Sequence, residues 1–190
     1  KSYDVVSVPF RFGPSGDSRE QTRARYLQFG LFEIARLRFL GHAAGVLNMD
    51  IDELAFTPHG QTVFDQLDAL EQGFLTLNGE WRYPKEGAPL RHASHVMRAE
   101  PETATMYPKW CLDPRGPLKH KMWRIHGIKG IVDKTVEGSG FLHCRMISDH
   151  WHYERALSSE VDLVTDPLAQ RILDNKGIAG RLCGSMGCNT

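Results

Sequence analysis

The chain contains no long apolar run, no excess of either charge and few cysteines. No apolar stretch approaches the roughly 20 residues that a membrane-spanning helix needs, and no signal-peptide pattern opens the chain. The 23 basic and 23 acidic side chains cancel, so general attraction to nucleic acid or to an anionic membrane is not indicated. Four cysteines are too few for a disulfide-rich scaffold and favour a reducing compartment. We expect a soluble protein with no membrane span and no nucleic-acid partner, in the cytoplasm or in an organelle after removal of a targeting segment.

Several motifs that would assign a function at once are also missing. No Gly-x-Ser-x-Gly elbow nominates a nucleophilic serine. The glycines between residues 127 and 140 have no phosphate-binding spacing after a strand and before a helix. A nucleotide-binding fold is therefore not expected, and we predict that the protein needs no cofactor.

One acidic segment has part of a metal-binding pattern. Asn48-x-Asp50-x-Asp52 resembles the opening of a calcium loop, in which oxygen ligands alternate along the chain. The sixth position is Glu53 where the loop needs Gly, and the twelfth is His59 where it needs Glu. We interpret the segment as a helix-capping acidic turn and predict no metal site.

The first half of the chain has the stronger helix signals. Residues 3–10 predict a strand, and a capping-box-like start at Asp17 leads into a long helix. Its apolar positions, at helical spacing up to residues 41–45, are Leu27, Leu31, Ile34 and Leu37. A second helix is predicted to begin at Thr57-Pro58, and its apolar face and closing turn are formed by Phe64, Leu67, Leu70 and Phe74, then Asn78-Gly79.

From Glu80 onward, alternating strand and turn signals predict an antiparallel meander. Asp166-Pro167 then starts a short helix that stops at Gly177. With 41% hydrophobic residues, the chain can bury one core. We predict a single α+β domain over residues 1–177, in which a curved antiparallel sheet packs around the N-terminal helices, followed by a tail of residues 178–190 that contains glycine and cysteine.

Residues 138–155 carry more ionisable and aromatic groups than a packing strand needs. With the two-residue period of a strand, one face is formed by Phe141, His143, Arg145, Ile147, Asp149, Trp151 and Tyr153, and His150 and His152 lie on the other. Each face is apolar at its start and polar at its end. Because burying His, Arg and Asp costs free energy unless each finds a partner, the pattern predicts a strand that runs from the core to a pocket mouth or an interface.

The order of two early helices, then a sheet, then the closing hairpin RIHGIKGIVDKTVEGSGFLHCRMISDHWHYER resembles the cone-shaped folds of the NTF2-like or SnoaL-like superfamily. Asp149-His150-Trp151 is similar to the Asp-x-aromatic group that often ends the last strand in that superfamily. The resemblance covers the C-terminal half of the domain. It implies a pocket between the concave face of the sheet and the helices, a pocket that the superfamily uses for isomerases, dehydratases, cyclases, ligand binding and dimeric scaffolding.

These residues give the candidate site, which we expect near Arg124, His126, Asp149 and Trp151. Carboxylates and imidazoles whose pKa values move toward neutrality suit general acid/base work. The candidate catalytic residues are Asp149, His126, Arg124 and His150, and the candidate substrate-binding residues are Trp123, Trp151, Tyr107, Tyr153 and Arg145. The function predicted is a small-molecule pocket protein, an acid/base lyase or isomerase if catalytic, acting on an apolar or aromatic substrate.

Two alternatives stay open. The aromatic-rich first helix and long termini also suit a non-catalytic subunit of a homo-oligomer or a larger protein assembly. The element from Cys111 through Asp113 to Arg115 is similar to the zinc-site element of β-type carbonic anhydrases, although the His-x-x-Cys element that follows in that family is absent. Cys183 and Cys188 are interpreted as free thiols in the tail, with a small disulfide or half a metal site as the other readings.

Overall fold

The computed structural model describes residues 26–101, 106–147 and 162–174. The predicted strand at residues 3–10, the predicted helix start at Asp17 and the tail of residues 178–190 lie outside the described residues. So do Asp149, His150, Trp151 and Tyr153 of the candidate site. In the described part, no helix is long and apolar enough to cross a membrane.

The first helix is confirmed over its described residues. Helix α1 (Tyr26–Ile34) continues as one π-helical stretch (Ala35–Phe39). Phe32 and Ala35 pack against the core. Leu37, however, is 69% exposed. Because a π-helical turn uses more residues than an α-helical one, it rotates the following side chains away from the face that a regular period predicts.

The second predicted helix is too long. The chain forms a 3-10 turn (Pro58–Gly60) and then the short helix α2 (Val63–Asp68). Asp65 closes a capping box with Thr62 at its start. Phe74 begins a strand instead of ending the helix, and Asn78-Gly79 lies inside that strand. The interruption occurs at Gly73, whose φ of 56° is favourable only for glycine.

The main sheet has five strands and is curled. Its members are β1 (Val46–Asn48), β2 (Glu53–Phe56), β3 (Phe74–Arg82), β5 (Lys109–Leu112) and β8 (Thr135–Cys144), in the order β1-β5-β3-β8-β2. The pair β3 and β8 is parallel, and the other neighbours are antiparallel. The sheet is therefore mixed, and the predicted antiparallel meander is wrong, because its last long strand inserts beside β3 instead of pairing with the segment just before it.

Two small sheets and one helix complete the described fold. Strand β4 (Met97–Glu100) pairs with β9 (Asp162–Thr165), and β6 (Trp123–Arg124) forms a hairpin with β7 (Gly127–Ile128). Helix α3 (Pro167–Asp174) follows β9, and the Asp166 carboxylate accepts a hydrogen bond from the Leu168 amide at 2.8 Å. The predicted helix start at Asp166-Pro167 is confirmed.

Apolar side chains cover both faces of the main sheet. One cluster joins α2 to the sheet through Leu67, Leu75, Leu77, Cys111 and Phe141. The other joins α1 and the β6-β7 hairpin to the opposite face through Phe74, Trp110, Leu112, Trp123 and Ile128. A cluster of charged side chains lies beyond these two apolar clusters, at the ends of several strands.

Candidate functional site

The β6-β7 hairpin is fastened to the main sheet by two side chains. Trp110 Nε1 donates a hydrogen bond to the Arg124 carbonyl at 2.7 Å. Asn48 Nδ2 donates to the Ile125 carbonyl at 2.8 Å. Both donors belong to sheet strands, so the backbone of this short hairpin has a fixed position above the sheet. A hairpin of six residues (123–128) has too little surface to hold such a position alone.

A cleft of about 530 Å³ lies between this hairpin and α1. Its apolar lining is contributed by Phe29, Met122, Ile125, Ile128 and Ile131, and its polar lining by Arg124, His126 and Asp133. This volume is in the range of small-molecule sites, which commonly combine apolar walls with a few polar groups. Two of the predicted catalytic residues, Arg124 and His126, therefore line one cleft.

His126 has defined neighbours at the edge of this cleft. Its Nδ1 lies 3.3 Å from the Pro108 carbonyl, which accepts a hydrogen bond if Nδ1 carries the proton. The ring stacks on Tyr107 with centroids 4.7 Å apart. Tyr107 is itself 72% exposed. The stack gives the cleft an aromatic edge and limits rotation of the imidazole.

The charges at the cleft are mixed. Arg124 and Asp133 are both exposed, and His126 is half-buried. An exposed guanidinium can pair with a carboxylate or phosphate in two-point geometry, because its donors form a planar fork. The arrangement suits a ligand that places an apolar body on the isoleucines and an anionic group toward Arg124.

The remaining predicted site residues do not join this cleft within the described chain. Trp123 is 1% exposed and packs edge-on against Trp110, with ring centroids 5.5 Å apart. It belongs to the core. Arg145 lies over the rings of Trp81 and Tyr83, 5.5 and 5.4 Å from their centroids. It therefore belongs to a second polar region, at the end of the main sheet.

That second region collects ionisable side chains from three strands and one turn. Its members are Asp50 and Asp52 in the β1-β2 turn, Glu53 at the start of β2, Lys109 at the start of β5 and His143 near the end of β8. Glu53 is the register partner of His143. Trp81 at the end of β3 is the partner of His143 on the other side, and the two rings stack at 4.3 Å.

The ionisable groups of this cluster contact one another at 2.5 to 3.6 Å. His143 Nε2 lies 3.1 Å from Asp52 Oδ2, and Nδ1 of the same ring lies 3.6 Å from Glu53 Oε1. Lys109 Nζ lies 3.1 Å from Glu53 Oε2 and 2.5 Å from Asp50 Oδ2. Asp52, Glu53 and His143 each offer one potential metal-ligand atom, and the three atoms lie within 4.8 Å of one another.

The two carboxylates beside His143 differ in their environments. The hydrogen bond with His143 holds the pKa of Asp52 below its usual value. Burial raises the pKa of Glu53, even though the Asp50 amide and Lys109 both favour its charged form. The Glu53 side chain is only 1% exposed. A carboxyl group this deeply buried carries a large desolvation cost, which needs compensation by partners.

Sequence reasoning found only part of this cluster. The Asn48-x-Asp50-x-Asp52 segment is not a helix cap, because it forms the turn between β1 and β2. The alternating acidic residues of this segment were the feature of the sequence that pointed to a charged cluster. The partner His143 is 91 residues from Asp52, and periodicity along one strand does not reveal which distant strand lies beside it.

Cys111 gives no support to the zinc alternative. It is fully buried in β5, and burial raises the pKa of its thiol to about 12. A cysteine binds zinc as its thiolate. Asp113 and Arg115 do form an ion pair at 3.1 Å, but in a turn beyond the strand. Histidines could also contribute to a zinc site, but the imidazoles of His92 and His95 contact backbone carbonyls. His92 contacts the Ile51 carbonyl, and His95 contacts the carbonyls of Arg91 and Arg145.

Comparison with known proteins adds no assignment. No protein-family model matches the chain, and no curated protein sequence matches it either. We therefore infer the function from the geometry of the cleft and of the polar cluster.

Proposed function

We propose that this protein binds a small molecule in the cleft between α1 and the β6-β7 hairpin. The observation that supports this is the cleft of about 530 Å³, with an apolar lining and a cationic side chain at its edge. The ligand we infer has an apolar or aromatic body and one anionic group. Its body contacts Phe29 and Ile131, and its anionic group pairs with Arg124.

The proposal keeps acid/base chemistry of the lyase or isomerase type as its catalytic form. Within the described chain, His126 and Asp133 are the cleft residues whose side chains can accept a hydrogen bond. With Nδ1–H directed at the Pro108 carbonyl, a neutral His126 ring has its basic nitrogen at Nε2. Asp149 and His150, the other candidate proton-transfer residues, lie outside the described residues.

Binding is tested by methyl-detected NMR of the purified chain with a library of small aromatic and aliphatic carboxylates. We expect a subset to shift the methyl signals of Ile125 and Ile131. Gly127→Leu places a side chain in the cleft: the nearest atom to a Cβ at Gly127 is Asp133 Oδ1 at 3.7 Å, an ordinary contact. This variant should fold and lose the shifts.

Arg124→Gln tests the anionic group separately. It should weaken binding of carboxylates, and leave the matched amides unaffected. Arg115→Gln is the matched control, because Arg115 is an exposed arginine in a turn whose ion-pair partner is Asp113. Binding that survives Gly127→Leu unchanged would place the ligand elsewhere and overturn the proposal.

A second candidate function, a subunit of a homo-oligomer or larger assembly, has one specific observation in its favour. Leu37 and Phe39 on the π-helical stretch are 69% and 50% exposed in the described structure. Adjacent exposed apolar side chains are common at protein contacts. Leu37→Glu should shift the sedimentation coefficient of the chain toward that of a monomer if this surface is a contact. A value unchanged by the substitution would count against it.

A further inference from the structure

The most unusual polar contact in the described chain is between His143 and Glu53. The imidazole Nδ1 is buried and has no hydrogen-bond partner among the described residues. The nearest acidic oxygen is Glu53 Oε1 at 3.6 Å, a distance beyond that of a hydrogen bond. Leaving a buried polar atom unpaired is costly, so its surroundings call for an explanation.

The protonation of the ring follows from the other nitrogen. Nε2 lies 3.1 Å from Asp52 Oδ2, a hydrogen-bond distance at which the carboxylate oxygen accepts from the ring N–H. A neutral His143 therefore carries its proton on Nε2 and turns the lone pair of Nδ1 toward Glu53. The lone pairs of His143 Nδ1 and Glu53 Oε1 then face each other in the interior.

A metal ion is the group that such a pair accommodates. Two ligand atoms that are each about 2.1 Å from one ion lie roughly 3.0 to 3.5 Å apart in tetrahedral or octahedral geometry. The 3.6 Å between Nδ1 and Oε1 is close to that spacing. The Asp52 carboxylate, within the same 4.8 Å group, acts on the imidazole as the acidic partner that metal-binding histidines commonly have.

The local charge also favours a dication. The carboxylates of Asp50, Asp52 and Glu53 carry three negative charges when ionised, and Lys109 offsets one of them. Lys109 does not occupy the gap, because it binds Glu53 through Oε2 while Oε1 faces His143. Trp81, stacked on the imidazole, holds the ring in this orientation.

We propose that Asp52, Glu53 and His143 form a binding site for one divalent transition-metal ion of the zinc class. His143 Nδ1 and Glu53 Oε1 are the ligand atoms, and Asp52 is the acidic partner of the imidazole. Imidazole nitrogen combined with carboxylate oxygen suits zinc, iron and similar ions better than calcium or magnesium, which prefer oxygen ligands alone. The site is separate from the proposed ligand cleft and does not depend on it. It departs from the sequence-based prediction that the chain has no metal site.

The test is calorimetric titration of the chelator-treated full chain with Zn²⁺, repeated with Co²⁺ and monitored by visible absorption. The background carries Cys183→Ser and Cys188→Ser, which removes two thiols outside the described residues. We expect one ion per chain, an imidazole and carboxylate spectrum for Co²⁺, and a rise in thermal midpoint with added Zn²⁺. His143→Gln should weaken the affinity at least tenfold, because it removes a ligand nitrogen.

His120→Gln is the matched control, because His120 is an exposed histidine that belongs to neither site, and it should leave metal affinity unchanged. Asp52→Asn is a second variant for the case in which His143→Gln does not fold, and it should also weaken binding at least tenfold, the lower end of the effect typical for such partners. The proposal is overturned if the background protein takes up no ion at submillimolar Zn²⁺, which would mean that a proton satisfies the pair. It is equally overturned if both variants bind as tightly as the background.

Discussion

Arg82 and Asp166 form an ion pair in the interior, with Arg82 Nε 2.6 Å from Asp166 Oδ2. The two side chains are only 2% and 7% exposed. The same guanidinium also contacts the Glu80 carboxylate and donates to the Trp81 carbonyl. Arg82 is the last residue of β3, and Asp166 lies between β9 and α3. Their contact therefore joins the main sheet to the β4-β9 sheet and the last helix.

Asp166→Asn should destabilise the protein by about 2 kcal/mol, since it removes the buried carboxylate that accepts from Arg82 Nε, while the Glu80 carboxylate still contacts the guanidinium. Asparagine keeps the helix-capping acceptor, so the loss reports the charge. The measurement is urea unfolding followed by circular dichroism. Glu100→Gln is the control, because its pair with Arg98 is partly exposed and should contribute less than about 1 kcal/mol. Equal losses for the two variants would contradict the assigned role.

Gly79→Ala should destabilise the chain by about 1 to 3 kcal/mol through overpacking. Gly79 is the register partner of Phe141 on β8, and a Cβ there would lie 2.3 Å from Phe141 Cζ. Phe141 is fully buried and cannot move toward solvent without loss of core packing. The effect is measured as the shift in urea midpoint.

Two further variants test this reason. Gly127→Ala should be tolerated, because its Cβ would meet nothing closer than 3.7 Å. Phe141→Leu should reduce the additional cost of Gly79→Ala, because it removes the clashing ring atom. A cost for Gly79→Ala that is the same in both backgrounds would show that the ring is not the cause.

The two described cysteines should resist alkylation in the folded protein. Burial raises the pKa of both Cys111 and Cys144 to about 12. The folded state therefore keeps both thiols protonated, while the unfolded chain ionises them near pH 9, their ordinary value. Their contribution to stability is complete below pH 9 and is lost as the pH rises from 9 toward 12.

This predicts a larger loss of stability between pH 8 and pH 10 for the parent protein than for Cys144→Ala, measured by urea unfolding at both pH values. Iodoacetamide at pH 8 should label these two positions only after unfolding, as mass spectrometry of peptides will show. Rapid labelling of Cys111 in the native protein would contradict its position in the core.

The sequence predicted those features that depend on neighbours along the chain. The spacing of Leu31 and Ile34 located α1, and Asp166-Pro167 located the start of α3. The strand predicted over residues 138–155 was located only in part, because β8 begins at Thr135 and ends at Cys144, before a turn at residues 145–146. Pairing of strands was not predictable in the same way. Periodicity assigns side chains to faces of a strand, but β8 meets β2 and β3 through residues that are roughly 60 to 90 positions away in the chain.

The candidate site was also predictable only where its residues are close together in the chain. Arg124 and His126 were expected at a pocket because ionisable groups cluster there, and both line the cleft. Trp123 was expected to shape the pocket, but its indole is in the core. The cluster of Glu53, Lys109 and His143 was missed because its members come from strands whose adjacency only the fold defines.

The most direct test of the central claim, small-molecule binding in the cleft, is native mass spectrometry of the full chain purified under non-denaturing conditions from cells that produce it. We predict a population whose mass exceeds that of the polypeptide by one small organic molecule, released on denaturation and absent from Gly127→Leu. Retention of the same molecule by Gly127→Leu, or a spectrum of larger assemblies without any bound small molecule, would contradict the claim.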